Sequence, residues 1–393
     1  MKIFFGLILL GITMENYRYA NLISIADISY FILAIIGLKE IINKKKVSLD
    51  KSLSFCLLLS IVIGLISILY NSNNLVTFIG SICRLIFLIG CSIIISNGLQ
   101  DEKLKLSIIS GVKIALSIHI SLLIFQWLRW SINQEMIIYN LPMFQNEGNL
   151  TQLFGHGKFR ATGLAAEPAH IANILILYTW IIYIYSKNIH NLHVIIVTLM
   201  IVLIKSMGGI MLWILTLLCM YYKTIIKSGL LKKIGLILCS IIIGTVSFDF
   251  INELVISRFN SFIGGGDGSI TIRLLGSLEG MLIGLRESRG IGIGIGNLDN
   301  LFYENIGDFI YLTRPLTFNI LFYWIMSNGI LGGISYIYMI FYNYKKRNVK
   351  AKALSWFMIA YSFSTGTFLV PICMLILVMG GKCFEDKYNY SDI

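Results

Sequence analysis

Apolar residues do not alternate with polar ones along this chain. They come in unbroken runs, near 3–14, 22–42, 53–70, 75–96, 106–128, 164–185, 191–205, 208–222, 234–250, 317–342 and 353–379. A helix needs about 20 such residues to cross the hydrocarbon of a bilayer. A segment in lipid must satisfy its own backbone hydrogen bonds, so it is a helix or a strand of a closed barrel, and barrel strands alternate. Runs this long and this uniformly apolar predict helices. The last run is interrupted by Ser362, Ser364, Thr365, Gly366 and Thr367 ahead of Pro371, and reads as one tilted helix or a tight pair of short ones. The pattern predicts an all-α, polytopic integral membrane protein: one transmembrane domain over residues 1–393, with 11 or 12 spans.

Composition agrees. The chain is 56% hydrophobic and 13% charged, with a mean hydropathy of +0.79. A soluble domain is about a quarter charged, so polar surface is too scarce here to cover a water-soluble body. The first run has one lysine and could pass for a signal peptide. Met14-Glu15-Asn16-Tyr17 follows it instead of a small-residue cleavage site, so a first span is expected. The cysteines (Cys56, Cys83, Cys91, Cys219, Cys239, Cys373, Cys383) are scattered through apolar runs, and their spacing suggests neither a disulfide framework nor a zinc site.

A net charge of +12 would suggest nucleic acid in a soluble protein. In a membrane protein lysine and arginine gather in cytoplasmic loops, which accounts for most of it. On that rule Lys44, Lys45, Lys46 and Lys51, then Lys223, Lys227, Lys232 and Lys233, then Lys345, Lys346, Arg347, Lys350 and Lys352 are cytoplasmic. Threading the spans accordingly puts the N-terminus inside and two long connections, 129–163 and 251–316, outside. Both are too rich in aromatics, isoleucine and leucine to be disordered linkers, and loops that long are commonly functional.

Lysine is concentrated in the cytoplasmic loops. The loop 251–316 has no lysine but contains Arg258, Arg273, Arg286, Arg289 and Arg314; the loop 129–163 holds Arg129 and Arg160. Arginine's planar fork grips phosphate in bidentate fashion and tolerates partial desolvation. One reading is an outward-facing site for an anionic, phosphorylated substrate. The plainer one pairs each arginine with an acid of the same loop: Glu253, Asp267, Glu279, Glu287, Asp299, Glu304 or Asp308.

The most specific segment runs Phe159-Arg160-Ala161-Thr162-Gly163-Leu164-Ala165-Ala166-Glu167-Pro168-Ala169-His170. Pro168 suits the first turn of a helix, and Glu167 before it suits the positive end of the helix dipole. Glu167, His170 and Asn173 are spaced three apart, on one helical stripe. A carboxylate and an imidazole there, with an arginine nearby, fit a base and an anion clamp. Other features are plainer. Gly264–Gly268 and Gly290–Gly296 follow no strand and fall on the wrong side for ATP, so turns, or backbone N–H groups brought near a ligand, are expected. Arg84 and Asp27 fall inside spans, where a central charge costs roughly 2.5–3.5 kcal/mol by insertion scales; they pair with each other or face a polar cavity. His119 is expected to be a packed, hydrogen-bonded residue.

Arg160, Gly163, Glu167 and Pro168 leading into a helix resemble the R-x-x-G-x-x-x-E-P segment of the O-antigen polymerases, the Wzy type of bacterial polysaccharide polymerase. Arg273 at the start of a helical stretch, followed by Gly290-Ile291-Gly292-Ile293-Gly294, is similar to that family's second loop. Asn319 with Ser327-Asn328-Gly329-Ile330-Leu331-Gly332 resembles its next span. The resemblance covers the chain in topology but only some 60 residues in motif. It implies a GT-C-like membrane fold and a glycosyltransferase that joins undecaprenyl-diphosphate-linked oligosaccharide repeats at the periplasmic face of the inner membrane. It implies Arg160, Arg273 and Arg289 on the diphosphate, and Glu167 or His170 activating the acceptor. Membrane lipid and a chain-length regulator are the implied partners; no cofactor, metal or nucleic acid is expected, since no paired D-x-D-type acids fall outside. Related O-antigen ligases carry a histidine just before the next span, where this chain has Thr317-Phe318-Asn319, and residues 251–316 contain no histidine. That missing histidine counts against a ligase, the nearer alternative, which shares donor and fold; a flippase is the more distant one, since transporters are expected to have short loops and charges along an internal path.

The threading makes a direct prediction. Reporter fusions after Lys233 and after Lys352 should report cytoplasm, and fusions near Asn149 and Asp299 periplasm. A cytoplasmic signal from Asp299 would remove the outward-facing site.

Overall fold

The computed structural model describes residues 2–19, 23–44, 51–70, 75–141, 145–146, 154–155, 158–185, 190–227, 272–308, 319–342, 349–363 and 370–383. The expected span 234–250, residues 251–271 with Arg258, and Arg314 lie outside these, as does the side chain of Arg273.

The described residues are mostly helical with almost no sheet. In order come α1 (Lys2–Ile12), β1 (Tyr17–Tyr19), β2 (Ile23–Ser24), α2 (Ile25–Lys44), α3 (Lys51–Tyr70), α4 (Leu75–Gly98) and α5 (Glu102–Asn133). After the short strands β3 (Gln145–Asn146), β4 (Phe154–Gly155) and β5 (Lys158–Phe159) follow α6 (Pro168–Tyr185), α7 (Asn191–Ile204) and α8 (Met207–Lys227). A π-helical turn (Ile272–Gly276) leads into α9 (Ser277–Glu287), then α10 (Leu298–Glu304), α11 (Ile320–Tyr342), α12 (Val349–Ser362) and α13 (Pro371–Cys383). Among the described residues four helices, α4, α5, α6 and α11, are long and apolar enough to cross a membrane. Helix α1, with 11 residues, is only about 16 Å long at 1.5 Å per residue.

Helix α6 is apolar on every face and buried on nearly all of them, with Ile171, Leu175, Tyr178, Trp180 and Ile181 fully enclosed. Helix α13 is buried throughout residues 371–380. These two form the centre, as all-round apolar helices must. Around them α4, α5 and α11 turn one apolar face inward and leave another exposed: Val76 and Ile79, Leu106 and Leu128, Ile330 and Leu331. Exposed apolar faces of this extent suit lipid better than water.

The final apolar run is the pair of short helices. Lys350, at the start of α12, donates to the Tyr183 carbonyl oxygen at 2.7 Å and lies over the Tyr183 ring. Tyr185 donates to the carbonyl oxygen of Met379 near the end of α13. The intervening ends meet where Cys373 Sγ bonds Tyr361 Oη at 3.4 Å. So α13 returns the chain to the end from which α12 leaves. Lys105 lies over the Tyr185 ring at that same end, so the basic segments at 105 and 350 collect around one terminus of α6.

Helix α11 is broken at Gly329, whose φ of 66° and ψ of −168° are not helical. Unbroken, the Met326 carbonyl would accept from Ile330 N–H and the Ser327 carbonyl from Leu331 N–H. Here Met326 O accepts from Ile293 N (3.0 Å), Ser327 O from Gly294 N (2.9 Å), and Ile330 N donates to Gly290 O (3.4 Å). The Gly290–Gly294 backbone thus supplies partners that the break removed. Contact is too close for side chains: a Cβ on Gly292 (φ 106°) would lie 2.5 Å from Gly329 N, and one on Gly329 would lie 2.3 Å from Ile291 O.

Candidate functional site

The end of α6 opposite the lysines is assembled from residues scattered along the chain. Ser24 and Asp27 bond reciprocally at the start of α2: Ser24 Oγ accepts from Asp27 N–H (3.1 Å) while Asp27 Oδ2 accepts from Ser24 N–H (3.2 Å) and from its hydroxyl (2.7 Å). This is the capping-box exchange. The same Oδ2 accepts from Arg84 Nη1 at 3.1 Å, and Arg84 Nη2 reaches Glu15 Oε1 at 3.2 Å. Of the two possibilities left by the sequence, Arg84 and Asp27 take the pairing. Glu15, just after α1, is a third member that sequence reading did not single out. A second guanidinium is close by: Arg18 Nε donates to the Glu15 carbonyl oxygen at 3.4 Å.

The segment carrying Arg160 is pinned from both sides by α5. Before it, Phe159 stacks on Trp130 with ring centroids 4.9 Å apart. After it, the Gln126 side-chain oxygen accepts from Thr162 N (3.0 Å) and Gly163 N (2.9 Å), while its amino group donates to Ile137 O (2.7 Å). Gly163 turns the chain with a φ of 57°. Tyr17 donates to Tyr139 O (2.5 Å), and Tyr139 in turn to Leu122 O (3.0 Å). Burial pushes the Tyr17 hydroxyl up to about 12, with Tyr139 adding to it, so it stays a donor throughout the neutral range. Strand β3 pairs antiparallel with β1, tying the first long connection to the α1–α2 turn. Met14, Tyr17 and Leu164 share one small buried cluster, which places Glu15 and the Arg160–Glu167 segment at one end of the bundle.

Glu167 occupies the position before Pro168, and its carbonyl oxygen accepts from His170 N (3.1 Å) and Ile171 N (3.3 Å). Its backbone starts α6, as the plainer reading of this segment expects; its side chain is half-buried, like that of Arg160. The stripe Glu167, His170, Asn173 is not uniform: Asn173 is buried and His170 exposed. His119 packs at the α1–α5–α6 junction, its Nε2 2.9 Å from Thr13 Oγ1. That hydroxyl donates to Leu10 O at 2.6 Å, so Nε2 is the donor between the two, and the residue is the packed, hydrogen-bonded histidine the sequence suggests.

The second group of arginines is laid out along α9. Arg273 lies in the π-helical turn before it, and Arg289, exposed and left-handed at φ 53°, follows it. At 1.5 Å per helical residue the 16 residues from one to the other set their backbones roughly 24 Å apart, at opposite ends of α9. Helix α9 runs beside α11 in the same direction. Asn319 N–H bonds Ser277 Oγ at 3.1 Å at one end, and Gly290 meets Ile330 at the other. Asn319 Oδ1 caps Phe322 N at 2.9 Å, so it serves α11 as its N-cap. For two arginines the acid-pairing reading holds. Arg286 bonds Asp308 (2.6 Å) and Glu287, and these carboxylates, Asp308 first, raise the guanidinium's already high pKa; Arg129 bonds Glu135.

No protein-family model matches this chain, and no curated protein matches it.

Among the described residues no three His, Cys, Asp or Glu gather as a metal site would require. What the geometry supplies is a half-buried, charge-rich end with two anchored arginines, Arg84 and Arg160, beside three carboxylates, Glu15, Asp27 and Glu167. Removing the guanidinium from this set tests its weight. Arg84→Met should lower stability by roughly 2–4 kcal/mol, toward the low side for a buried pair because its side chain is 29% exposed. Arg84→Met with Asp27→Asn should recover part of that in a double-mutant cycle read by thermal unfolding. Strictly additive losses would mean that the pair contributes nothing.

Proposed function

We propose that this chain is a polytopic glycosyltransferase of the O-antigen polymerase kind, resident in the inner membrane with its active end toward the periplasm. It joins undecaprenyl-diphosphate-linked oligosaccharide repeats into long polysaccharide. The observation that carries the reading is the contrast between the two ends of α6: Lys105 and Lys350 at its C-terminal end, Arg84, Arg160, Glu15, Asp27 and Glu167 around its N-terminal end. Lysine and arginine together are in excess on the cytoplasmic side of membrane helices, and Lys105 and Lys350 belong to the segments read that way. The arginine-bearing end then faces the compartment where lipid-linked repeats are displayed.

The chemistry asked of that end is a displacement at an anomeric carbon. An acceptor sugar hydroxyl forms the new C–O bond as the bond to the lipid diphosphate breaks, and the diphosphate departs with the electron pair. Negative charge grows on the leaving group, where a preorganised guanidinium in a partly dry site is most effective. The backbone carrying Arg160 is held by Trp130 through Phe159 and by Gln126 through Thr162 and Gly163, which fixes where its guanidinium is presented from. The acceptor's proton goes to a carboxylate, and Glu167 is the first choice. Arg273 and Arg289, at opposite ends of α9, serve different parts of a long lipid-linked substrate, with His170 on the exposed face of α6 at its margin.

Two substitutions test the roles in a strain lacking the native copy, with membrane abundance held equal. Arg160→Lys keeps the charge but loses the bidentate fork, and should sharply shorten the polysaccharide ladder. Glu167→Gln cannot accept a proton; base catalysis is worth about 10²–10⁴-fold, so the ladder should collapse to core bearing a single repeat, with Glu167→Asp retaining more. Full ladders from Glu167→Gln would return the residue to its capping role, and bare core in place of core plus one repeat would indicate a ligase.

A further inference from the structure

One exposed stripe of α5 is not apolar. Lys113, Ser117 and Ser121 recur every four residues, so they lie one above another on a single face, and all three are exposed. Ile114, Ile118 and Leu122 run beside them, and the six line an open groove of about 380 Å³. That volume is in the range of sites that hold small molecules. Serine in place of a large residue at 117 and 121 keeps the groove open, and it follows the helix for roughly 14 Å at 1.5 Å per residue.

Its depth in the bundle follows from the neighbours. Lys105 lies over the Tyr185 ring at the lysine end, and Lys113, eight residues on, starts about 12 Å further in. Helix α1 runs beside α5 in the same direction, since Gly6 meets Ile114 and Thr13 meets His119. Lys2, four residues before Gly6, is then about level with Ser110. Side chains lean toward the N-terminus of their helix, and for α1 and α5 that is the lysine end. The ammonium of Lys113 is thus carried back about one turn, toward the level of Lys2, as lysines of membrane helices reach for the interface. Lys105 has a carboxylate of its own, Glu102 at 3.2 Å. Among the described residues no carboxylate pairs with Lys113, and the ring its charge acts on is His193 of α7. A cation without an acid, at the mouth of an aliphatic groove, is complementary to a phosphate joined to a hydrocarbon chain. Basic sites between helices recognise anionic headgroups in this way.

We propose that this groove holds one anionic phospholipid of the leaflet at the lysine end. Its phosphate sits on the Lys113 ammonium, with Lys2 at a similar level, and an acyl chain lies along Ser117 and Ser121. The Ser117 hydroxyl donates to the Lys113 carbonyl oxygen at 2.9 Å, so its polarity is spent within the helix and does not repel hydrocarbon. The inference rests on the reading of α5 as a membrane span and not on glycosyl transfer.

The test is native mass spectrometry of the purified full-length chain in detergent, titrated with phosphatidylglycerol or with phosphatidylcholine of the same acyl chains. One phosphatidylglycerol should bind more tightly than any phosphatidylcholine. Lys113→Gln should weaken that first site about fivefold, the worth of one lysine at a membrane surface, and leave phosphatidylcholine unchanged. Lys103→Gln, in the exposed first turn of α5, should change it little. Ser117→Leu, which fills the groove and alters no charge, should weaken both lipids. Equal affinities for the two lipids would overturn the proposal. So would a first site that Lys113→Gln or Ser117→Leu leaves intact, or a loss from Lys103→Gln as large as that from Lys113→Gln. Extraction of the chain from cell membranes by alkaline carbonate would remove the span and the site together; retention in the membrane with equal lipid affinities would remove the site alone.

Discussion

A peptide group without a partner in hydrocarbon costs several kcal/mol, and nothing in lipid can supply what the chain does not. Helix α11 faces that constraint at Gly329. Its solution is to borrow N–H groups from Ile293 and Gly294 and a carbonyl from Gly290. Much else follows from this exchange. The segment must come within backbone contact of the helix, which only glycine at 292 and 329 allows. It must be delivered by α9, running alongside the first half of α11, and led away through Asn297, which bonds Thr77 of α4 at 3.3 Å and its own Ile293 carbonyl at 2.9 Å. Part of what looks like an outer loop is thus built into the helical body.

At the other helix that organises the bundle, α6, the constraint is electrostatic. Lys105 and Lys350 meet its C-terminal end, while Arg84 and the segment of Lys158 and Arg160 stand at its N-terminal end. Tyr183 and Tyr185 receive lysines by carbonyl and ring at one end. At the other, Gln126 and Trp130 fix the approach of Arg160 while Arg84 ties α4 to the α1–α2 turn. Among the described residues, the guanidinium groups of Arg84 and Arg160 stand at the second end. That asymmetry is the physical basis of the proposed function.

Much of this was legible in the sequence. The unbroken apolar runs gave helices, Ser362 to Thr367 ahead of Pro371 allowed the split into α12 and α13, and Glu167-Pro168 marked the start of α6. Helices such as α1 and α7 proved shorter than a bilayer is thick, which run counting does not register because hydropathy continues past the helix end. Tertiary partners were the harder part. Glu15 looks like a flank of the first run until Arg84 reaches it from a helix 69 residues away. Gly290 to Gly296 advertised close backbone contact but not with what. The other half, Gly329, is one glycine in an apolar run, and only a left-handed φ distinguishes it from the neighbouring Gly332 and Gly333. Arg273 and Arg289 are near in sequence motif and far in space because a straight helix lies between them.

The stitching of α11 by the glycine segment is the claim on which the architecture rests, and amide hydrogen exchange tests it most directly. Ile293, Gly294 and Ile330 lie in or beside glycine-rich turns, where loop amides exchange quickly. Paired as described, they should exchange as slowly as the amides in the body of α11, and Gly292→Ala should release all three together. Fast exchange of Ile293 and Gly294 in the unaltered chain, with α11 still protected, would contradict it.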